Sequence, residues 1–194
     1  MKKYKLTKET LQFAGRTLHR IKALKDFDSI KAGEFGGWIE NEKNLSQDDN
    51  AWIYGNAMVY DNAKVYGNAK VYGNAKVSDY AKVYGNANVF GNAKVYGNAN
   101  VFGNAEVYGN AAIKGDAKVH DAVDYIVFKN FWSSGRYFTW TSSNNKWSVG
   151  CFYGTGEELI KKAYADSEKS GREYERVVRY VESILADEKK EKSN

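Results

Sequence analysis

The stretch "AKVYGNAKVYGNAKV", Ala63–Val77, repeats six residues with almost no variation. Alanine occupies positions 51, 57, 63, 69, 75, 81, 87, 93, 99, 105, 111 and 117, which makes twelve unbroken hexapeptides. A β-branched aliphatic residue, Val or Ile, stands two positions after each alanine. Residues two apart share one face of a strand, so each unit predicts a short strand with a small inward pair. The Gly-Asn that follows most strands predicts a tight corner, since both residues tolerate positive φ.

A strand and a corner in every six residues indicate a coil rather than a meander. Antiparallel hairpins would not keep the same inward pair at every step, whereas a coil would. Three such faces close a turn of about 18 residues, and stacked turns pair each strand with its equivalent about 4.8 Å away. The repeat therefore predicts about four full coils over residues 51–122.

The outward residue at each corner recurs once per coil and forms a ladder. The three ladders are Tyr54, Tyr72, Phe90 and Tyr108; Tyr66, Tyr84, Phe102 and His120; and Tyr60, Ser78, Tyr96 and Lys114. Rings repeated at coil spacing can stack and shield the corners. We interpret these ladders as structural, because a solenoid requires repeated stacking whatever it binds.

The pattern aliphatic, x, Gly, x, small, x resembles the hexapeptide repeat of left-handed parallel β-helices, and this resemblance implies the left hand. Periodicity alone does not, because parallel crossovers are nearly always right-handed. With "LHRIKALKDF", "IKAGEFGGWIE" and "NEKNLS" before "AWIYGNA", residues 4–122 resemble a family of bacterial and phage hexapeptide-repeat proteins often labelled transferases. That label rests on fold analogy, so the resemblance implies a fold and not a reaction.

The segment before the repeat predicts a cap, because a solenoid has open ends and natural proteins cover open strand edges. Residues 1–50 are expected to form a β cap and an irregular first coil. Leu45 stands eight residues before Ile53 instead of six, so the register slips there. The predicted fold class is mainly β: a left-handed parallel β-helix with a cap at each end.

The segment after the repeat, residues 123–194, predicts a small α+β module with a three-stranded antiparallel sheet and two helices. Capping boxes at Thr155 with Glu158 and at Ser170 with Glu173 predict the two helix starts. The apolar stripe of the second helix packs on the sheet of the same chain or joins subunits. The stretch from Val127 to Ser167 resembles a module of phage and prophage proteins that has no assigned activity.

Charge and composition narrow the function classes. The net charge is +5 and is spread along the chain, which argues against extended duplex nucleic acid as a partner. One cysteine, Cys151, and two histidines are too few for a zinc cage, so we predict no metal and no cofactor. The sequence shows no apolar run typical of a membrane span or a secretory leader. We therefore expect a cytoplasmic location, in the host cell if the chain is phage encoded.

A cluster in the C-terminal module mixes aromatic rings with hydroxyl, amide and cationic groups. The predicted ligand-binding residues are Trp132, Ser134, Arg136, Tyr137, Trp140, Thr141, Asn145, Lys146 and Trp147. Rings can stack on a base while cations and donors meet phosphate oxygens, so this mixture suits a small anionic nucleotide-type ligand. Strand alternation places Phe138 and Trp140 on one face and Tyr137, Thr139 and Thr141 on the other. The alternative interpretation is that one face is core and its aromatic residues pack the sheet against the two helices.

Three function hypotheses follow. The first is a non-catalytic homo-oligomer, a trimer or a dimer, which in a phage would sequester a nucleotide signal of host defence. The second is an acetyl-CoA acyltransferase with His19 or His120 as general base, because left-handed β-helix enzymes, which the repeat resembles, are mostly acyltransferases. The third is a structural or protein-docking solenoid that uses lysines of its flat faces, Lys70, Lys76, Lys82 and Lys94.

Overall fold

The computed structural model describes residues 1–132 and 134–191, and in this part of the chain a three-sided solenoid of about five coils forms the centre. The strands of the cap and solenoid are β1 Tyr4–Phe13, β2 Arg16–Ala23, β3 Phe35–Ile39, β4 Trp52–Ile53, β5 Met58–Val59, β6 Lys64–Val65, β7 Lys70–Val71, β8 Lys76–Val77, β9 Lys82–Val83, β10 Asn88–Val89, β11 Lys94–Val95, β12 Asn100–Val101, β13 Glu106–Val107, β14 Ala112–Ile113 and β15 Lys118–Val119. The module after them contains β16 Tyr125–Lys129, β17 Tyr137–Thr141, β18 Lys146–Val149, β19 Phe152–Gly154, α1 Gly156–Asp166 and α2 Glu168–Glu191. Short 3-10 helices cover Glu42–Asn44 and Ala122–Asp124.

Each solenoid strand before the last coil pairs in parallel with the strand one coil further on. Val71 lies opposite Val89, and Val89 lies opposite Val107, so the register advances by one full set of three faces. The three parallel stacks are β4-β7-β10-β13, β6-β9-β12-β15 and β3-β5-β8-β11-β14. The predicted coil is confirmed, whereas its left hand stays a prediction.

The core of the solenoid is the Ala and Val column that the repeat predicted. Every alanine of the twelve hexapeptides, from Ala51 to Ala117, is 0% exposed. The Val or Ile two residues after each alanine, from Ile53 to Val119, is at most 1% exposed. Burying one Val side chain contributes roughly 1.5–3 kcal/mol, so the repetition itself stabilises the coil. On the outside, amides also form ladders: Asn68 Nδ2 donates to Asn86 Oδ1 at 3.0 Å, and Asn86 Nδ2 donates to Asn104 Oδ1 at 3.1 Å.

The first coil is irregular, as the position of Leu45 predicted. Ile39 pairs with Val59 and Leu45 pairs with Val65, a separation of 20 residues (59 − 39 and 65 − 45) in place of the regular step. Leu45 is 1% exposed, so it still occupies the aliphatic column. The additional residues are therefore accommodated outside the core.

The N-terminal hairpin β1–β2 covers the open end of the solenoid. β2 pairs with β3 in antiparallel fashion and so extends one of the three sheets. The Lys3 ammonium donates to the carbonyls of Asp49 and Ala51, both at 2.8 Å, and the Tyr4 hydroxyl donates to the carbonyl of Leu45 at 2.8 Å. Side chains of the cap thus satisfy backbone acceptors that have no further coil to pair with.

The C-terminal module is an antiparallel sheet with two helices against it. The described residues form four strands in the order β16-β17-β18-β19, one more than the three predicted. The additional strand arises because Gly150, at φ 58°, allows a tight turn that divides the expected third strand in two. The boundaries at residues 50/51 and 122/123 stay predictions.

The helices begin at different kinds of cap. Thr155 and Glu158 form the predicted capping box at the start of α1. The predicted box at Ser170 is wrong, because α2 already begins at Glu168 and the Ser170 N–H donates to Ser167 Oγ at 3.1 Å. A serine that can cap a helix is also tolerated in its first turn, so the sequence signal pointed three residues too late. No helix in the described part of the chain has the length and hydrophobicity that crossing a bilayer requires.

Candidate functional site

The tryptophans of the predicted ligand cluster belong to the core of the module. Trp140 and Trp147 are 3% and 2% exposed and pack with Phe138 and Val149 against Leu159 and other apolar residues of the two helices. The Trp140 indole N–H donates to Asn145 Oδ1 at 2.9 Å, so Asn145 provides the hydrogen-bond acceptor for this buried indole. This face of the sheet faces the helices.

The other predicted residues are spread around the sheet. Trp132 is half-buried against Tyr174 of α2. The Ser134 hydroxyl accepts from the N–H of Arg136 at 3.4 Å, and Thr141, on the opposite face from Trp140, donates to Asn144 at 2.6 Å. The half-buried Lys146 follows the same turn. The structure therefore does not bring the predicted residues to one surface, and their joint role stays a prediction.

The opposite face of the sheet closes the C-terminal end of the solenoid. Thr139 Oγ1 accepts a hydrogen bond from the N–H of Ala112 at 2.9 Å, and Ser143 Oγ accepts one from the N–H of Lys118 at 2.7 Å. Tyr125 is also directed to the last coil, where its hydroxyl donates to the carbonyl of Glu106 at 2.9 Å. Hydroxyl groups of the sheet and of the turn between β17 and β18 thus pair with the last backbone edge of the solenoid.

A cavity of about 410 Å³ lies where this sheet meets the last coil, and we call it the junction cavity. It is lined by Tyr108, Gly109, Asn110, Ala122, Tyr125, Ile126, Val127 and Tyr137. Tyr137 is the predicted ligand residue that contributes to it. Sequence reasoning missed Tyr108, Asn110 and Tyr125; the available signal was that Tyr108 is the last ring of its ladder.

The aromatic ladder beside the cavity ends at Tyr108, which among the described residues stacks on a ring of the ladder on one side only. Tyr72 and Phe90 stack with centroids 4.7 Å apart, and Phe90 and Tyr108 stack at 5.3 Å. Tyr108 remains 50% exposed and forms one wall of the junction cavity. In the part of the chain that the structure describes, the stack β4-β7-β10-β13 has no further strand beyond Tyr108, and Ile126 of β16 also lines the cavity. The cavity therefore lies next to the place where another ring would extend the stack.

The polar side chains that line the junction cavity are neutral. Burial raises the pKa of Tyr125 to about 12, so its hydroxyl stays protonated at neutral pH. The carboxylate of Glu106 is near enough to add to the raised pKa of Tyr125. The Lys129 ammonium lies 5.9 Å from the centroid of the Tyr137 ring, which places a positive charge beside the cavity wall. Asn110 adds an amide with both donor and acceptor atoms.

The two histidines do not line the junction cavity. His120 is an exposed corner residue whose Nδ1 lies 2.5 Å from Asp121 Oδ2 and whose ring meets Phe102 edge-on at 5.1 Å. His19 is half-buried in the N-terminal hairpin, with Nδ1 3.3 Å from the Thr7 carbonyl oxygen. Among residues 1–132 and 134–191, no group of three or more His, Cys, Asp or Glu side chains gathers as a metal site.

The lysines of the flat faces have different surroundings. Lys70 forms an ion pair with Asp28 at 3.0 Å. Lys76 lies over the Phe13 ring at 4.4 Å, whereas Lys82 faces a polar groove that it shares with Lys64. The docking hypothesis that grouped Lys70, Lys76, Lys82 and Lys94 stays a prediction.

Comparisons with known proteins cover part of this chain. A family model described as the YdcK beta solenoid repeat matches residues 51–67. The chain is also similar to a protein described as the uncharacterized acetyltransferase YdcK of Escherichia coli (strain K12), 38% identical over 69 residues. That match covers 31% of this chain and 21% of YdcK, about a fifth of its length. These similarities agree with the β-solenoid that the structure shows.

Proposed function

We propose that this protein is a non-catalytic binding scaffold that holds an anionic nucleotide-type molecule in the junction cavity. The observation that carries the proposal is the exposed ring of Tyr108, which ends a stacked ladder and forms a wall of a cavity of about 410 Å³. A planar base placed there would extend the ladder by one ring, and base–aromatic stacking contributes roughly 1–3 kcal/mol per base.

The remaining groups complement the rest of such a ligand. The Asn110 amide provides hydrogen bonds to the edge of a base, and Lys129 beside Tyr137 provides a charge for a phosphate. Ligand cavities of roughly 300–1,000 Å³ lined by apolar and aromatic side chains with a few polar groups are the common form of small-molecule sites. The walls of the junction cavity have this composition.

Binding without turnover is favoured because His19 and His120 lie away from the cavity. A homo-oligomer, a trimer or a dimer, would present several copies of the site on a rigid body. With the resemblance of the C-terminal segment to a phage module, the proposal extends to capture of a nucleotide signal of host defence, in the cytoplasm of the host cell. Stoichiometric capture requires no general base.

Isothermal titration against cyclic dinucleotides and ADP-ribose-type nucleotides tests this function. Tyr108→Ala and Tyr137→Ala are expected to weaken binding about tenfold or more, the effect of losing a stacking or wall ring. Tyr80→Ala is the matched control, because Tyr80 is an exposed corner tyrosine outside the junction cavity. Absence of binding by the unaltered protein at micromolar concentration, or equal affinity in all three variants, would overturn the proposal.

Acetyl transfer is a second candidate, favoured by the His120–Asp121 contact and by the similarity to YdcK. A carboxylate on Nδ1 leaves Nε2 to act as a general base. Turnover of acetyl-CoA with an amine or hydroxyl acceptor that disappears in His120→Ala and falls in Asp121→Asn would establish it. Turnover that persists in both variants, with His19→Ala also active, would exclude both histidines as the base.

A further inference from the structure

The third corner ladder has no ring between two of its tyrosines. Its positions are Tyr60, Ser78, Tyr96 and Lys114, so a serine stands between Tyr60 and Tyr96 at a position that the repeat mostly fills with Tyr or Phe. In the second ladder the rings are continuous: Tyr66 stacks on Tyr84 at 4.9 Å with the ring planes 1° apart. The departure at Ser78 is therefore local and lies between two retained tyrosines.

The spacing of the solenoid determines the width of the resulting gap. Adjacent coils lie about 4.8 Å apart, so Tyr60 and Tyr96 are attached about 9.6 Å apart along the axis. Stacked rings in the other ladders have centroids 4.7–5.3 Å apart. The gap between Tyr60 and Tyr96 thus has the width that one inserted ring requires.

The structure shows a cavity of about 280 Å³ at this place, lined by Phe13, Tyr60, Lys76, Ser78, Lys94 and Tyr96, and we call it the ladder gap. Phe13 closes one side, with its ring edge-on to Tyr60 at 5.6 Å. The side of Tyr96 towards the next coil is covered by the Lys114 ammonium at 5.3 Å. An inserted ring would therefore meet Tyr96 from the side of Ser78.

The charge around the ladder gap is positive. Lys76 and Lys94 occupy the same outward position in successive coils and both line the gap. Within the described residues neither forms an ion pair, whereas Lys70 on another face is paired with Asp28. The carboxylates at the neighbouring corners have other partners: Asp61 binds Arg16 at 2.5 Å, and Asp79 accepts from the Gly97 N–H at 2.8 Å.

We propose that the ladder gap binds a planar aromatic ring that carries an anionic group. The ring stacks between Tyr60 and Tyr96 and takes the place of the missing rung. The anionic group pairs with Lys76 and Lys94. Ser78 Oγ supplies a hydrogen bond to the edge of the inserted ring. A tyrosine at this position would fill the space that the inserted ring takes. This site is separate from the junction cavity and does not depend on the proposed function.

Adenosine 5′-monophosphate, which has both a ring and an anion, is the probe for this site, with adenosine and inorganic phosphate as partial probes. Saturation-transfer NMR and titration calorimetry are expected to show the nucleotide binding more tightly than either partial probe. Ser78→Tyr restores the repeat and fills the gap with the chain's own ring. We expect this variant to lose nucleotide binding by about tenfold or more while its melting temperature is unchanged or higher.

Further variants distinguish binding at the ladder gap from non-specific attraction to surface lysines and from binding in the junction cavity. Lys76→Gln with Lys94→Gln is expected to reduce the binding of the nucleotide to that of adenosine, whereas Lys82→Gln, an outward lysine of another face, is expected to have no effect. Tyr108→Ala is expected to leave binding at the ladder gap unchanged, so failure of one site is distinguishable from failure of the other. Nucleotide affinity that is unchanged in Ser78→Tyr, or in the double lysine variant if the tyrosine variant does not fold, would overturn the proposal. So would the absence of nucleotide binding by the unaltered protein.

Discussion

The hydroxyl of Tyr125 donates a hydrogen bond to the main-chain carbonyl of Glu106 at 2.9 Å. The Tyr125 hydroxyl oxygen also accepts a hydrogen bond from the N–H of Tyr108 at 3.4 Å, so one side chain of the module satisfies two backbone groups of the last coil. Burial raises the pKa of Tyr125 to about 12, in agreement with a phenol held in its protonated, donating form. This contact joins the module to the open edge of the solenoid.

Tyr125→Phe is expected to destabilise the protein, because the ring is kept while a partly buried acceptor loses its donor. The loss is expected to be about 1–3 kcal/mol, measured as the free energy of unfolding in urea. Tyr80→Phe, at a 62% exposed corner, is the control and should have little effect. Equal stability of the two variants would show that the Tyr125 hydroxyl does not cap the solenoid.

Gly91→Ala is expected to cost more stability than Gly109→Ala. Both glycines have positive φ, 69° and 66°, so the conformational cost of adding Cβ is similar. A Cβ at Gly91 would lie 3.0 Å from the backbone nitrogen of Gly109 in the next coil, whereas one at Gly109 meets nothing within 4 Å. The difference in unfolding free energy therefore measures the close approach of coils, and equal losses would contradict it.

The stability of the protein should rise with pH between about 8 and 10 because of Lys3. Burial lowers the pKa of Lys3 from its ordinary 10.5 to about 8, so in this range the unfolded chain binds more protons than the folded one. Burial also raises the pKa of Tyr4, so above roughly pH 10 the unfolded phenol ionises first and stability falls again.

Melting temperatures measured across this pH range test the prediction. Lys3→Met is expected to remove the rise between pH 8 and 10, whereas the exposed Lys2→Met is expected to retain it. The same slope in Lys3→Met and in the unaltered protein would show that another group is responsible.

Trp147→Ala is expected to unfold the module rather than to remove a ligand contact. Trp147 is 2% exposed and packs beside Phe138, so its truncation should cost about 3–5 kcal/mol. Tyr137→Ala, at a half-buried cavity wall, should cost much less. Urea unfolding followed by tryptophan fluorescence compares the two; a stable Trp147→Ala variant with selectively weakened nucleotide binding would instead place Trp147 in a binding site.

The repeat allowed the solenoid to be predicted because its information is local. Each Ala and the Val two residues later lie on one strand face, and identical units repeated twelve times leave few arrangements that bury all of them. The irregular position of Leu45 was predictable for the same reason, because its spacing of eight residues from Ile53 differs from the six of the repeat. Strand alternation likewise separated Phe138 and Trp140 from Thr139 and Thr141.

The sequence by itself determined which residues form the coil and which strand faces are apolar, since both depend on spacings of a few residues. Only the tertiary structure decided that the Trp140 face meets the helices and that the Thr139 face meets the last coil. The junction cavity and the ladder gap also belong to the tertiary structure, because their walls come from chain segments far apart in sequence. Contacts between distant segments depend on the packing of whole elements, and no spacing within one element encodes that packing.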